Sequence, residues 1–406
     1  MDSLVEKERF AFTTAGVVLP SISGSLSFIS SGLIMYIVLK SKQNTAYHRI
    51  MFFMSFWDAL SSLSIALTTL PLPSDVIYDY SYGSYGDIQT CAVQAFTILF
   101  GTGLVLFSNI LLNIYYLCTI RYGVTDAKFR LYAEPIFLFI STALSLVQPV
   151  YFATTDTLNP TPNDAYCMIG VYPEECLSND EIECIRGDKD TFEFHQYVLS
   201  ISVFAQVIIL IVTMLFILHT TWFSGQQDDS SKVKTVAMQA FMYLIACLLT
   251  WVSAAIFAMV PDNKAIDAFA TFFFPLQGFF NLLIFAYHKV YAYKTFNSFL
   301  LTTDIIKLLF TNPEKFKNEY VTGIENVERM HQSRNMEDMF QQNEQGPEFF
   351  RDDSGSAAKL PSGTNSTGGA LEMVGSVELS VQPSSAKDID SFLERNHDLS
   401  LGDSRP

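Results

Sequence analysis

The chain has 406 residues, of which 50% are hydrophobic and 14% aromatic but only 16% charged, with a mean hydropathy of +0.25 and a formal net charge of −16. A soluble domain carries about a quarter charged residues, which weighs against an ordinary cytosolic enzyme, and 35 Phe with 19 Tyr exclude a disordered or fibrous chain. The apolar residues come in runs of about 20, the length of a bilayer-crossing helix, so the expected fold class is an all-α, polytopic membrane protein.

Seven segments read as membrane helices, at roughly Val17–Leu39, Ile50–Leu70, Ala92–Thr119, Pro135–Phe152, Tyr197–Leu218, Val236–Val260 and Ala268–Tyr287, and none contains Lys or Arg. Backbone polar groups in lipid must be satisfied within the segment, which makes helix the expected element. Pro71 and Pro73 close the second segment, Pro135 suits the first turn of the fourth, and Pro261 ends the sixth. The expected organisation is a short N-terminus (1–16), a seven-helix bundle (17–290), a juxtamembrane helix (291–311) and an acidic tail (312–406). The juxtamembrane stretch sets Phe296, Phe299, Leu300, Ile306, Leu309 and Phe310 among Lys, Asp and Thr, as in a helix lying on the membrane surface. From about 340 onward the tail is polar, acidic and rich in Ser and Gly, so it is expected to be largely disordered.

Charge is segregated. Residues 153–193 hold ten acids against Arg186 and Lys189, and residues 311–406 hold seventeen acids against nine bases, so each carries a net −8. No basic stripe offers phosphate contacts, and nucleic acid is not an expected partner. Among the short loops, one side collects Lys40, Lys42, Arg49, Arg121, Lys128, Arg130, Lys232, Lys234, Lys289 and Lys294. The other holds Lys7, Arg9, Arg186, Lys189 and Lys264. The first set is expected in the cytoplasm, leaving the N-terminus outside and the tail inside. The first residues are acidic and polar, without a cleavable signal, so the first span is expected to direct insertion.

Cys118 and Cys247 fall inside helices, whereas Cys91, Cys167, Cys176 and Cys184 fall in outer segments, where oxidation is permitted. Four cysteines allow three pairings. We favour Cys91–Cys167, tying the third helix to the following outer loop, with Cys176–Cys184 closing a small loop.

This arrangement resembles the G-protein-coupled receptor superfamily. The stretch from His48 to Asp58 looks like the second helix of such receptors, and Ile120-Arg121-Tyr122 is similar to the rhodopsin-like Asp/Glu-Arg-Tyr signature. Phe274-Pro275-Leu276-Gln277-Gly278-Phe279-Phe280-Asn281 looks like the seventh-helix segment of secretin, adhesion and slime-mould cyclic-AMP receptors. The combination resembles cyclic-AMP-receptor-like proteins of unicellular eukaryotes, the diatom type among them, over about residues 17–294. Ile120 departs from the rhodopsin-like acid, the sixth segment lacks proline, and the seventh lacks Asn-Pro-x-x-Tyr. The resemblance implies a plasma-membrane receptor for a small extracellular ligand, acting on a heterotrimeric G protein, with kinase and arrestin-like partners at the tail.

Asp58 stands ten residues past His48, about 15 Å of helix rise, which puts a carboxyl near the membrane midplane where function is the default hypothesis. The resemblance suggests a sodium- or proton-sensitive switch, with Asn109, Asn113 or Asn281 as partners. Arg121 and Tyr122 are the candidate G-protein contacts, and Pro275 with Gln277 marks a candidate kink in the seventh helix. Gln94, Thr97, Gln148, Tyr166, His195, Trp251, Asp267 and Thr271 form the candidate ligand pocket in the outer half. No phosphate loop, His-Glu-x-x-His or Cys-x-x-Cys is present, so neither enzyme chemistry, a metal nor a cofactor is expected. The seventh segment lacks the lysine that retinal chemistry requires. The alternative is a seven-helix ion or proton transporter or channel using Asp58, although no internal repeat supports paired halves.

Overall fold

The computed structural model describes residues 13–74, 83–161, 164–177, 181–223, 230–259, 263–297 and 299–323. The chain divides into the units Met1–Tyr320 and Val321–Pro406, and of the second only a helix end at 321–323 is described. The first unit is a helical bundle. Its helices are α1 (Thr14–Ser41), α2 (Ala46–Ala66), α3 (Ile88–Tyr122), α4 (Glu134–Thr154), α5 (Lys189–Phe223), α6 (Ser230–Met259), α7 (Lys264–Phe273), α8 (Gln277–Phe296) and α9 (Thr302–Thr311). A 3-10 turn, Phe274–Leu276, joins α7 to α8.

Local chemistry sets several ends. Thr13 Oγ1 accepts the Gly16 N–H at the start of α1, and Asn263 Oδ1 accepts two N–H groups at the start of α7. Asp87 and Thr90 form a reciprocal capping box on α3. The start of α2 is unusual. Its Thr45 makes no side-chain cap bond, and Asp126, from the turn before α4, accepts the Ala46 N–H at 2.6 Å.

Among the described residues, six helical stretches are long and apolar enough to cross a membrane: Thr14–Ser41, Ile88–Tyr122, Asp126–Thr154, Ser200–Thr220, Ala237–Ala254 and Lys264–Lys294. The chain is therefore an all-α protein of multi-pass membrane character. The second expected span, now α2, is not in this set, because His48, Arg49, Asp58 and several serines lower its hydropathy. It nevertheless packs between α1 and α3. A β-carbon on Gly24 would come within 2.8 Å of the Ser62 carbonyl oxygen, so the backbones of α1 and α2 approach as closely as small residues permit.

Burial locates the helices. The α3 span is 61% buried, whereas those of α4 and α5 are 22% buried and turn Phe139, Val147, Ile201 and Ile208 outward. The larger core cluster joins Ile34, Met51, Leu112, Tyr243 and Phe285. At the opposite end a small cluster brings Leu72, Cys91 and Phe152 against Leu158 and Cys167. There β1 (Leu158–Pro160) pairs antiparallel with β2 (Cys167–Ile169), with Asn159 opposite Met168. Both favoured disulfides are present, Cys91–Cys167 fastening β2 to α3 and Cys176–Cys184 closing a loop.

The segment after the bundle differs from expectation. α8 runs to Phe296, beyond the expected boundary at 290, and the following short helix is α9, whose Ile305 and Leu309 are buried in the larger core. A further helix covers 313–323, inside the segment expected to be tail. Asn312 caps it by accepting the Lys315 N–H, and Pro313 follows at its first position. Phe316 stacks on Tyr293 at 4.8 Å between ring centroids, and Glu314 pairs with Lys42 at 3.0 Å. The expected N-terminal residues 1–12, the loop 224–229 and the tail from 324 lie outside the described residues.

Candidate functional site

Asp58 lies mid-way along α2 and is buried. One turn on, Ser62 reaches back to it, while α1 presents Ser27 and Ser31 on one face at i, i+4 spacing. All three hydroxyls donate to Asp58 Oδ2, Ser31 at 2.6 Å, Ser27 at 3.1 Å and Ser62 at 3.4 Å. Ser27 Oγ in turn accepts the backbone N–H of Gly278 at 2.9 Å. Three helices (α1, α2 and α8) therefore meet at one carboxyl. Charge-assisted bonds from several hydroxyls are what a buried carboxylate requires, and a group so held can take up a proton or face a small cation.

A second chain of bonds runs alongside. Thr250 Oγ1 donates to Gln277 Oε1 at 2.7 Å, Gln277 Nε2 donates to Asn281 Oδ1 at 3.1 Å, and Asn281 Nδ2 reaches Met54 Sδ at 3.8 Å. Between the two systems lies a cavity of about 20 Å³ lined by Asp58, Ser61, Thr102, Trp251, Pro275 and Gln277. That is room for one water molecule or a bare ion. Trp251 meets Phe274 edge-on at 5.7 Å, so the 3-10 break at Phe274–Leu276 forms one wall of the cavity. Pro275 and Gln277 are thus at a break in the helix, and both are buried.

The partners expected for Asp58 are not the ones it has. Asn109 donates to the Val105 carbonyl of its own helix at 3.0 Å, Asn113 is buried on the same helix, and Asn281 belongs to the Gln277 chain. The serines that hold Asp58 are indistinguishable, in sequence, from the many small residues of α1.

The outer candidates separate into distinct roles. Gln94 is occupied by structure: Nε2 donates to the Ser64 and Thr68 carbonyls at 2.8 and 2.9 Å, and Oε1 accepts the Cys167 N–H at 3.0 Å. Tyr166 is buried against Ile65 and Ile98, with Phe274 packed beside them. The loop thereby caps the bundle. In the same loop, burial pushes the Asp164 carboxyl up to about 6, and the nearby charge of Asp267 on α7 adds to the rise. Thr97 Oγ1 donates to the Val93 carbonyl of its own helix at 2.8 Å. Gln148 and Thr271 are half-buried on α4 and α7. His195 falls within α5, but its side chain lies outside the described residues.

At the other end, Arg121 and Tyr122 are exposed at the end of α3, with the guanidinium 5.8 Å from the Tyr122 ring centroid. Two features there were not anticipated. Tyr47 and Tyr243 place their hydroxyls 3.1 Å apart, Gln239 Nε2 donates to Tyr47 at 2.9 Å, and Tyr47 stacks on Phe285, so α2, α6 and α8 are latched together. Arg49, counted among the short-loop charges expected in the cytoplasm, donates to Glu134 through Nη2 at 2.7 Å and Nε at 2.9 Å. Asp126 lies 3.8 Å from the same guanidinium. No protein-family profile matches the chain, and no curated protein is similar to it.

Proposed function

We propose that the chain is a seven-helix G-protein-coupled receptor of the plasma membrane, with α2 as the seventh crossing, the N-terminus outside and the C-terminus cytoplasmic. The reading is carried by one observation: Asp58 joins α1, α2 and α8 through Ser27, Ser31, Ser62 and Gly278, directly beside the Trp251–Phe274 contact. The capped outer end and the latched inner end lie on opposite sides of this node. A small extracellular ligand entering beneath the Tyr166 loop would press on Phe274 and Trp251. The broken helix at Pro275 yields, the hydrogen bonds around Gln277 rearrange, and α6 carries Tyr243 away from Tyr47. That exchange between two packings opens the inner face next to Arg121 and Tyr122 for a heterotrimeric G protein. Ligand is then a shift in population between states already available to the bundle. Kinase and arrestin-like partners would act on the tail.

The test is a G-protein activation assay in cells against amines, nucleotides and nutrients, comparing the native chain with Asp58→Asn. Ligand-dependent nucleotide exchange that Asp58→Asn alters at unchanged surface expression supports the reading. The second reading, an ion or proton transporter, is favoured by the carboxyl-lined cavity itself. Ion flux in proteoliposomes with no nucleotide exchange on G proteins would select it.

A further inference from the structure

We propose that the ends of α1, α2 and α4 that carry Lys42, Asn44 and Arg49 bind an anionic phospholipid, phosphate at the mouth and one acyl chain along the apolar wall. A cavity of about 450 Å³ opens there, within the range of small-molecule sites. Its polar end is made by Lys42, Gln43, Asn44, His48 and Arg49, around the connection from α1 to α2, and by Glu134 at the start of α4. Its other walls are Leu39, Phe52, Phe53 and Leu138. These apolar residues lie about one or two helical turns deeper than the polar ones, so the cavity grades from polar to apolar over about 5–10 Å. That gradient matches a lipid crossing from headgroup to acyl chain, and a soluble phosphate would make no use of the apolar wall. The position agrees, since Leu39 is 64% exposed and α4 turns Ile136 and Phe139 outward next to the lining residues Glu134 and Leu138 in sequence.

Charge points the same way. The three acids near the site are engaged, Glu134 and Asp126 with Arg49 and Glu314 with Lys42. Behind the lining residues Gln43 and His48, Lys289 Nζ on α8 meets Gln43 Oε1 at 2.7 Å and His48 Nε2 at 3.2 Å, both neutral. The charges acting on the buried His48 ring are those of Lys289, Lys317 and Arg49, all cationic. The Lys42 side chain is 70% exposed and bonded only to Glu314 on the segment after α9. Among the lining residues two cations, Lys42 and Arg49, stand against one acid, Glu134, and the exposed Lys42 ammonium is free to turn toward a phosphate diester and donate charge-assisted hydrogen bonds to it. Basic pockets between membrane helices bind lipid headgroups for this reason.

This inference rests on α1, α2 and α4 crossing the membrane, and not on coupling to a G protein. The full chain is reconstituted in nanodiscs of phosphatidylcholine containing 10 mol % phosphatidylserine or phosphatidylinositol 4,5-bisphosphate, and the lipid retained after detergent release is counted by native mass spectrometry. The expected result is retention of an anionic lipid at least about tenfold above phosphatidylcholine. Lys42→Gln with Lys289→Gln should reduce that preference at least about fivefold. Leu138→Trp, which fills the apolar wall, should abolish retention while leaving the charges in place, and Lys264→Gln at the opposite end should change nothing. Equal retention of all lipids by the native chain overturns the proposal, whatever the variants do. Displacement by free glycerol 3-phosphate would assign the site to a soluble anion and overturn it equally. Retention that persists in a chain silent toward G proteins separates this inference from the receptor reading.

Discussion

Gly278 and Asp58 are in mutual contact across two helices so tightly that a β-carbon on the glycine would stand 2.1 Å from Asp58 Oδ2. The same β-carbon would be 2.2 Å from Ser31 Oγ and 2.7 Å from Ser27 Oγ. No side chain fits without displacing the hydroxyls that hold the carboxyl. Gly278→Ala is therefore expected to cost about 1–3 kcal/mol, the usual range for overpacking, and to part α8 from α1. Thermal unfolding in detergent measures the cost. Asp58→Asn, which preserves shape, should lose far less stability and, under the receptor reading, alter signalling and its response to sodium and pH. Normal responses in a well-expressed Asp58→Asn chain would assign the residue to packing alone.

The Tyr47–Tyr243 latch makes a prediction of opposite sign. Tyr47→Phe keeps the ring on Phe285 but removes the hydroxyl shared with Tyr243 and Gln239. A net hydrogen bond is worth about 1 kcal/mol, which corresponds to roughly a fivefold shift between two states. Under the receptor reading, basal nucleotide exchange should rise by about that factor at equal expression. Unchanged or lower basal activity would show that this contact does not hold the resting state.

Much of this architecture was legible in the sequence, for reasons that differ element by element. Run length and the absence of Lys and Arg located the long helices, because crossing lipid is a constraint on consecutive residues. The cysteines were legible because the loops carrying them fall on one side. Asp58 stood out as an acid in apolar surroundings, but its serine partners did not, since the rotation of α1 about its axis decides which serines face α2. The ion pairs of Arg49 were not legible because its acids, Asp126 and Glu134, arrive from beyond α3, and the same ion pairs allow α2 to carry polar residues that lower its hydropathy. The helix at 313–323 had a readable start, Asn312-Pro313, yet the acidic composition around it dominated.

Acid should tighten the loop that joins β1 to β2. The Asp164 carboxyl is raised from its ordinary 3.8 to about 6 by burial and by Asp267, while the Thr161 and Tyr166 hydroxyls act in the opposite direction. For a carboxyl raised on folding, the neutral form is the one the fold tolerates. Its contribution is fully present below the unfolded value of about 3.9, and is lost as pH rises through the folded value near 6. Hydrogen exchange over 157–171 should slow between pH 7 and pH 5, after correction for intrinsic rates. Asp164→Asn should slow it at pH 7 and remove the dependence. A dependence that survives in Asp164→Asn would place the titrating group elsewhere.

The Cys91–Cys167 bond should behave as one unit. Cys91→Ser and Cys167→Ser each unfasten β2 from α3, and each is expected to lower surface expression or ligand response. The double variant should be no worse than either single one, because neighbours that act through one bond are not additive. Independent, additive losses would mean that each cysteine contributes through packing of its own.

The number of crossings decides the topology, and α2 decides the number. Among the described residues six helical stretches are apolar enough by themselves, and six crossings return both termini to one side. If α2 also crosses, the count is seven and the termini separate. Its 21 residues span about 31 Å at 1.5 Å per residue, which matches a hydrocarbon core of about 30 Å. Its charged groups do not forbid it, since Arg49 lies near one end against Glu134 and Asp58 is bonded to hydroxyls within the bundle. The parity can be read with glycans. Asn365-Ser366-Thr367 is the chain's only Asn-x-Ser/Thr sequence with a permitted middle residue, and a second sequon can be engineered ahead of Thr14. Seven crossings with the N-terminus outside predict glycosylation at the engineered site and none at Asn365. The readout is a glycosidase-sensitive mobility shift in eukaryotic cells, assigned by Asn365→Gln. A shift that disappears in Asn365→Gln would put the C-terminal segment in the secretory lumen and sink the receptor topology. Glycans at both sites would return the count to six and leave α2 as a helix that packs within the bundle without completing a crossing.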